Sequence, residues 1–289
     1  MNCKIIIIAL CITFGMPALA QDASGSRQIV PEEFVKARPN KAAASPARRS
    51  SYHSTTTTKT VVTKNGKYEQ LGLTIWRLRP TKKTDEGARI IVQEGENANE
   101  WTPERIAADT PMKMGERIRF SFESPVPGYL YVIDREQYAD GSFGDPYLIF
   151  PTTRTRNGDN QVAPGHIIEI PGQEDRPNFF RMKQSRKDQT SENLTVIVAA
   201  QPLTEVTIGA NALKLSSEIV AQWEKQWGAQ TQKFEMNEGV GKAWTKAEQE
   251  AGANGTRQLT QEEPAPQTIY RVAVKPGSPM LVKVKMRYR

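Results

Sequence analysis

The sequence predicts a mainly β protein: an antiparallel β-sandwich-like or partly open barrel domain with a small α-helical insertion. β-branched and aromatic residues cluster in short runs, Pro and Gly turns separate these runs, and long Leu-rich helical stretches are scarce. The chain of 289 residues is long enough for one large domain or two small ones. We expect a single β-rich domain over residues 71–289.

The first 20 residues have the pattern of a secretory signal peptide. Lys4 provides a positive charge, Ile5–Met16 is apolar, and the small residues Ala18 and Ala20 precede a cleavage site after Ala20. The apolar run is shorter than the about 20 residues that a membrane-spanning helix needs. We therefore expect a bacterial protein exported to the periplasm or the extracellular space, with no transmembrane segment after cleavage. An uncleaved membrane anchor is the alternative.

Cysteine content and charge exclude several classes of function. Cys3 and Cys11 both lie in the predicted signal peptide, so the mature chain would have no disulfide, no thiolate nucleophile and no Cys-ligated metal. The net charge is +7, and the charged fraction of 25% is ordinary. Single-stranded nucleic-acid binding would require aromatic residues interleaved with basic ones on an exposed face. We see no such surface and expect no nucleic-acid partner.

Residues 21–70 are predicted to form a disordered, basic linker rich in Ser, Thr, Ala and Pro. The segment has few large apolar residues, so it could bury little surface to offset the entropy of ordering. Nine Lys and Arg residues oppose four Asp and Glu residues here. One interpretation is electrostatic contact with anionic lipid, cell-wall polymer or polysaccharide, and the other is a solvated spacer.

Eight segments between Leu71 and Ala200 have strand-like composition and are bounded by turn residues. These segments are 71–80, 88–95, 116–124, 128–134, 147–151, 165–172, 178–182 and 193–200. In the third segment, Ile118, Phe120 and Phe122 alternate with polar residues, which predicts a half-buried antiparallel strand.

Residues 205–267 are predicted to be a helical insertion in this domain. Ile219, Trp223 and Trp227 recur at a spacing of four, which predicts an amphipathic helix with both tryptophans on its buried face. A platform of these tryptophans with Trp244, for sugar rings or a partner helix, is the alternative.

A second short helix and a terminal hairpin complete the prediction. The capping box Thr245-x-x-Glu248 begins the helix, which ends at Gly252. Residues 268–289 return to β pattern on both sides of a Pro-Gly turn. We expect them to form a β-hairpin that rejoins the sheet near the strand beginning at Leu71.

Residues 110–201 contain an ordered series of short motifs. They are G-x-R-x-R-F from Gly115, G-Y-L-Y-V-I from Gly128, D-G at Asp140, L-I-F-P from Leu148, G-D-N from Gly158, P-G at Pro164, I-x-I-P from Ile168 and the strand Leu194–Ala199. In this order they resemble the bacterial family grouped under "domain of unknown function 4384". The resemblance implies an exported accessory module, sometimes joined to peptidase or kinase domains, and it implies no catalytic residue. No segment of this chain looks like such a partner enzyme.

The main candidate site is the acidic stretch between two apolar strand segments. Asp134 and Glu136 would share a face of a strand, and Asp140 and Asp145 follow in the loop. Converging carboxylates could contact a ligand or a hard cation such as calcium, although the EF-hand pattern is absent. A carboxylate pair could also perform glycosidase-type acid/base chemistry. The simplest alternative is a structural hairpin tip, because Asp-Gly and Asp-Pro are ordinary turn sequences.

Asp159 and Asn160 define a second oxygen-rich loop, for which a tight turn at Asn157-Gly158 is the alternative. The two loops would be neighbours if residues 129–133, 147–150 and 166–170 formed a meander. His166 has no poised serine in a G-x-S-x-G sequence, and no phosphate-binding glycine loop occurs. We therefore expect no catalytic residue and no cofactor, with calcium as the one candidate ion.

These features predict an exported, non-catalytic binding or interaction module at the bacterial cell envelope. Its partner would be an envelope polymer or another envelope protein. A hydrolase of envelope polymer is the first alternative, and it predicts a concave cleft in which Asp134 or Glu136 meets a second carboxylate with a raised pKa. A scaffold subunit of a larger complex is the second alternative, and it predicts an exposed apolar patch near the tryptophan helix.

Overall fold

In the part of the chain that the structure describes, two antiparallel β-sheets face each other across one apolar core, and three α-helices lie outside them. The protein is mainly β with small helical parts, as the sequence predicts. The computed structural model describes residues 23–40, 50–55, 67–94, 97–254 and 257–289. The predicted signal peptide lies outside these residues.

The elements are numbered along the chain. The strands are β1 (Tyr52–Ser54), β2 (Lys67–Pro80), β3 (Ile90–Glu94), β4 (Asn97–Ile106), β5 (Arg117–Glu123), β6 (Gly128–Tyr138), β7 (Tyr147–Phe150), β8 (Gln161–Val162), β9 (Ile168–Ile170), β10 (Phe180–Arg181), β11 (Gln189–Ala199), β12 (Leu213–Lys214), β13 (Thr231–Met236), β14 (Thr268–Val274) and β15 (Met280–Arg287). The helices are α1 (Ala23–Lys36), α2 (Ser217–Trp227) and α3 (Lys246–Asn254).

Strand β2 organises the larger sheet, which has nine strands. It pairs with β14, β4 and β5; β13 and β1 continue beyond β14, β3 lies beyond β4, and β9 and β10 pair with β5. The smaller sheet has six strands in the order β12-β7-β6-β11-β15, and β8 pairs with the first residues of β6. All of these pairs are antiparallel.

The core lies between the sheets because strands on both sides alternate apolar residues toward it. Leu73 and Phe120 of the nine-stranded sheet and Val132, Val196 and Val282 of the six-stranded sheet belong to this cluster, and all are almost fully buried. Burial of apolar surface on this scale is the main stabilising contribution to such a fold.

Helix α2 covers the outer face of the six-stranded sheet, which confirms the predicted amphipathic helix. Ser216 Oγ accepts a hydrogen bond from the Ile219 amide at 3.2 Å and so caps the first turn. Trp223 packs against the outward residues of β6 and β11, and its ring stacks on Trp227 at 5.5 Å between centroids. Trp244 lies instead beside Trp76 of the other sheet, so the three tryptophans do not form one platform.

Part of the predicted linker is folded, which corrects the expectation of disorder across residues 21–70. Helix α1 places Phe34, which is completely buried, against Tyr52 of β1 and Ile269 of β14. The Arg38 guanidinium then forms two hydrogen bonds of 2.7 Å with the Glu123 carboxylate. A few well-placed apolar residues and one buried ion pair order a segment whose average composition is polar.

The predicted C-terminal hairpin is wrong, because its two strands belong to different sheets. Strand β14 pairs with β2, with Thr268 opposite Leu73, as expected for its position near the Leu71 strand. Strand β15 pairs with β11 of the other sheet, with Val282 opposite Val196. The turn between β14 and β15 therefore joins the two layers.

Several further elements differ from the sequence-based expectations. Strands β4, β8, β12 and β13 are not predicted, and β12 and β13 lie inside the segment expected to be helical. Strand β5 is buried on both faces, since the Arg119 side chain is fully buried in an ion pair with Glu169 at 2.8 Å. No helix among the described residues is long and apolar enough to cross a membrane.

Candidate functional site

A cavity of about 440 Å³ lies between the two sheets, at the end where β6 finishes and β11 begins. This volume is within the usual range for small-molecule sites, about 300–1,000 Å³. Acidic side chains of the six-stranded sheet form one wall. Apolar side chains of β5, β10 and the residues that follow form the wall opposite.

The alternation of β6 places the acids in this cavity. Leu130 and Val132 point into the core, whereas Tyr131 and Ile133 point outward to α2. Because side chains alternate along a strand, Asp134 and Glu136 continue the inward-pointing face of β6 beyond the apolar core. The prediction that Asp134 and Glu136 share a face follows the same alternation, and both line the cavity.

The register between β6 and β11 adds a third carboxylate. Glu192 lies directly opposite Glu136, and Leu194 lies directly opposite Asp134. Side chains directly opposite in an antiparallel pair have Cβ atoms about 4.5–5.5 Å apart, and diagonal neighbours are about 7–8 Å apart. Asp134, Glu136 and Glu192 therefore lie next to one another on one wall of the cavity.

Neutral donors satisfy part of this acidic wall. Glu136 Oε2 accepts hydrogen bonds from the Tyr138 hydroxyl at 2.7 Å and from the Ser185 hydroxyl at 2.6 Å. Glu192 Oε1 accepts from the Tyr288 hydroxyl at 2.8 Å and from Gln189 Nε2 at 2.7 Å. These donors carry no charge, so they orient the carboxylates without neutralising them.

Two buried oxygens of the acidic wall have no hydrogen-bond partner: Asp134 Oδ1 and Glu192 Oε2. In the described part of the chain, no Lys, Arg or His forms a salt bridge with Asp134, Glu136 or Glu192. Buried polar atoms in proteins are nearly always paired, and each unpaired one requires an explanation, such as a functional role or a bound ion or water. The wall therefore has unused hydrogen-bonding capacity beside the cavity.

Burial and mutual repulsion alter the proton affinity of these acids. Burial, and secondarily the neighbouring charge of Glu192, raises the pKa of Asp134 well above its ordinary value. Burial also raises the pKa of Glu192, although the hydrogen bonds from Tyr288 and Gln189 oppose this change. Burial likewise raises the pKa of the Tyr288 phenol, which keeps it a hydrogen-bond donor to Glu192.

The opposite wall is apolar. Ile118 and Phe120 of β5, Phe180 of β10 and Met182 line it. Tyr147, which is 42% exposed, and two cations also line the cavity: Lys183, and Arg181, which pairs with Glu94. A ligand in this space would meet acid on one side and mainly hydrocarbon on the other.

The remaining predicted residues of the acidic loop have structural partners. Asp140 Oδ1 accepts from the Ser142 amide at 2.9 Å and from its hydroxyl at 2.6 Å, which is a turn-forming contact at the exposed tip. Asp145 lines the cavity and pairs with Lys214 at 2.5 Å. The structure thus brings Asp134, Glu136 and Asp145 to one cavity and leaves Asp140 outside it.

The second predicted loop lies at the other end of β6, so the shared site is wrong. The Asn160 side chain donates to the Leu130 carbonyl at 2.9 Å, and β8 pairs with the first residues of β6. The acidic loop follows Tyr138, roughly 26 Å further along the strand at about 3.3 Å per residue. The expected meander also fails, because β9 pairs with β5 in the other sheet.

Asp159 and Asn160 are explained by the turn. Asp159 Oδ1 accepts from the Gln161 amide at 3.0 Å, and its Oδ2 pairs with Arg156 at 3.2 Å. Asn157 and Gly158 both have positive φ, as the Asn-Gly turn signal requires.

The calcium hypothesis gains no support from the arrangement of ligands. Within the described residues, no group of three or more His, Cys, Asp or Glu side chains is placed to hold a metal ion. Calcium requires six to eight oxygen ligands, and the wall opposite the acids is hydrocarbon.

Glu192 is the site residue that sequence reasoning missed. Counting back by two from Val196 and Leu194, both buried in the core, places Glu192 on the inward face of β11. A polar residue at that inward position was the available signal. Its meeting with Glu136 depends on the cross-strand register, which the sequence does not display.

Comparison of the chain with models of protein families, with curated proteins and with solved structures finds no match in any of the three.

Proposed function

We propose that the protein is an exported, non-catalytic binding module of the bacterial cell envelope, and that its ligand occupies the cavity between the sheets. One observation carries the binding role: Asp134 Oδ1 and Glu192 Oε2 are buried at this cavity without partners. A ligand with hydrogen-bond donors would satisfy them. The paired strands on both sides give such a ligand a rigid site.

The arrangement of the acids favours binding over hydrolysis. Glycosidases place two carboxyl groups on either side of the scissile bond, about 5–9.5 Å apart. Here Asp134, Glu136 and Glu192 lie on one wall, on adjacent positions of two paired strands, and the wall opposite is apolar. A ligand would contact all three acids from the same side.

A hydrolase of envelope polymer is the second candidate, and one observation favours it. The raised pKa of Asp134 would keep a proton donor available next to the carboxylate of Glu136. The pair matches the cleft that this alternative predicts. Release of soluble fragments from peptidoglycan by the native chain, abolished in Asp134→Asn, would establish it.

The scaffold alternative has less support. Trp223 and most of the apolar face of α2 are used to cover the six-stranded sheet. The large exposed apolar side chains among the described residues come from several segments, and only Phe143 and Tyr147 are close in sequence; the others are Ile91, Met114, Ile208 and Val240.

Support for export and for an envelope partner comes from the sequence. The signal-peptide pattern of residues 1–20 and the resemblance of residues 110–201 both favour an envelope location. An envelope polymer that presents small end groups or side chains would suit a cavity of this size.

A titration of the full mature chain with soluble peptidoglycan fragments, followed by amide NMR shifts, tests the binding role. We expect shifts around Asp134, Glu136 and Glu192. Lys183→Trp, at the cavity, should abolish them by obstructing entry. Lys187→Trp, an equally exposed lysine of the same connection that does not line the cavity, should leave them intact. Shifts confined to residues away from the cavity would contradict the proposal.

A further inference from the structure

We propose that the cavity receives a primary ammonium group on an aliphatic chain, such as the side chain of a lysine-type diamino acid in a peptide. This inference rests on the proposed binding function and specifies the chemical class of the ligand. It follows from the charge, the free acceptors and the apolar surface of the same cavity.

The acidic wall has no cationic salt-bridge partner among the described residues. Asp134, Glu136 and Glu192 lie within two strand positions of each other, and their hydrogen-bond donors are the neutral groups of tyrosine, serine and glutamine. Buried carboxylates without a cationic partner are unfavourable, since desolvation and mutual repulsion both oppose ionisation. A cation entering the cavity would remove this penalty and gain attraction from all three acids.

The free oxygens of the acidic wall match the hydrogen-bond donors of a primary ammonium group. Asp134 Oδ1 and Glu192 Oε2 are buried and free, and they belong to diagonal neighbours on paired strands. A primary ammonium has three N–H donors around one atom. It can donate to both free oxygens and direct its third hydrogen toward the Glu136 carboxylate, so that each acid contributes.

Apolar side chains face the acids from the opposite wall of the cavity. Ile118, Phe120 and Met182 would contact a chain of methylene groups attached to the ammonium. Transfer of methylene groups from water to an apolar surface is favourable, so this wall selects an aliphatic cation over a hydrated metal ion.

The mouth of the cavity is compatible with a ligand that continues into solvent. Tyr147 is exposed there, and Lys183 is an exposed cation that forms no salt bridge within the described residues. The positive side chain at the mouth and the acids inside would orient the ligand with its ammonium group inward. A peptide with a carboxylate close to the backbone end of its ammonium-bearing side chain would suit this arrangement. Its carboxylate would lie near Lys183 and its ammonium group near the acids.

The test uses n-pentylamine, which is protonated at neutral pH, and 1-pentanol, which has the same chain without the charge. Binding of each to the full mature chain is measured by calorimetry and by amide NMR shifts. We expect pentylammonium to bind at the cavity at least tenfold more tightly than pentanol. Asp134→Asn and Glu192→Gln should each weaken pentylammonium binding at least tenfold, whereas the exposed control Glu205→Gln should leave it unchanged.

The outcomes separate this inference from the proposed function. Equal affinity for pentanol, tighter binding of n-butylguanidine, or calcium binding that excludes pentylamine would each overturn the ammonium assignment. If pentylamine does not bind but peptidoglycan fragments shift the cavity residues, the binding role stands and the ammonium assignment is wrong. If neither probe affects the cavity, both fail. Wild-type-like amide spectra of the isosteric variants confirm that a loss of binding is not a loss of folding.

Discussion

Glu136 lies directly opposite Glu192 on the neighbouring strands β6 and β11, so two carboxylates lie side by side on one wall of the cavity between the sheets. Like charges directly opposite in a sheet are destabilising, and this pair has no basic partner within the described residues. Residues that lower the stability of the fold and have no structural role are typical of functional sites. The relationship therefore supports the proposal that the cavity is a binding site.

Replacing Glu192 with glutamine should stabilise the protein at neutral pH. Glu192→Gln removes the repulsion with Glu136 and retains a side chain that can accept from Tyr288. We expect the free energy of unfolding to rise by about 0.2–1 kcal/mol, the range for a cross-strand pair. Urea denaturation measures it, and Glu205→Gln should change stability by less than about 0.5 kcal/mol. A loss of stability in Glu192→Gln would contradict the prediction.

The acidic wall should make stability fall as pH rises. The pKa values of Asp134 and Glu192 are raised in the folded state, so between about pH 4 and those values the native protein binds more protons than the unfolded chain. The contribution of these groups to the free energy of unfolding is therefore largest below about pH 4. It decreases as the pH rises from there to their folded-state pKa values.

Comparison of variants isolates this contribution from other buried acids, such as Glu169 and Glu235, whose pKa values burial also raises. Urea unfolding between pH 4 and pH 8 should show a steeper decline in the native protein than in Asp134→Asn with Glu192→Gln. The other titratable groups that line the cavity stay the same in both proteins, and they are Glu136, Tyr138, Asp145, Tyr147, Arg181, Lys183 and Tyr288. If stability declined equally with pH in the two proteins, the result would contradict the raised pKa values of Asp134 and Glu192.

Gly252 should resist replacement by alanine although it lies in helix α3. Alanine normally stabilises a helix by about 1 kcal/mol relative to glycine. Here a Cβ atom would lie 2.2 Å from Glu169 Cδ and would displace Glu169 from Arg119. We expect a net loss of about 1–3 kcal/mol in urea denaturation. Gly209→Ala, where no atom lies within 4 Å of the added Cβ, should be nearly neutral. Equal stability of the two variants would refute the contact.

Phe34 should contribute to global stability, because it is completely buried in helix α1. Phe34→Ala should reduce the free energy of unfolding by about 3–5 kcal/mol. Val240→Ala, at a side chain that is 55% exposed, should change it by less than about 0.5 kcal/mol. If Phe34→Ala behaved like the control, residues 23–40 would have to be assigned to the linker after all.

Much of the architecture follows from local sequence. Strands β2, β5, β6 and β11 combine β-branched or aromatic residues with clear turn boundaries, and helix α2 has a cap and a periodic apolar face. Strand β4 lacks such a signal because Asn and Glu residues and an internal Pro103 interrupt it. The pairing of β15 with β11 depends on long-range packing, and a Pro-Gly turn by itself favours the hairpin that does not form.

The candidate site was predictable only in part. Asp134 and Glu136 are visible as acids that continue an apolar strand, and their common face follows from the period of two. Glu192 lies far away in sequence, and its position opposite Glu136 is set by register. Asp140 and Asp159 look like candidate site residues in the sequence, as the cavity acids do. Their side chains, however, accept hydrogen bonds from backbone amides within local turns.

Titration of the side-chain carboxyl groups by ¹³C NMR in the ligand-free protein measures the protonation of the acidic wall directly. Burial and the neighbouring charge of Glu192 raise the pKa of Asp134, so Asp134 should remain protonated well above the ordinary range for aspartate. Asp140, at the exposed hairpin tip, should titrate below its ordinary value because Ser142 donates to it. If Asp134 instead titrated near pH 4, like an aspartate in water, the acidic wall would be solvated or already neutralised and the central claim would be wrong.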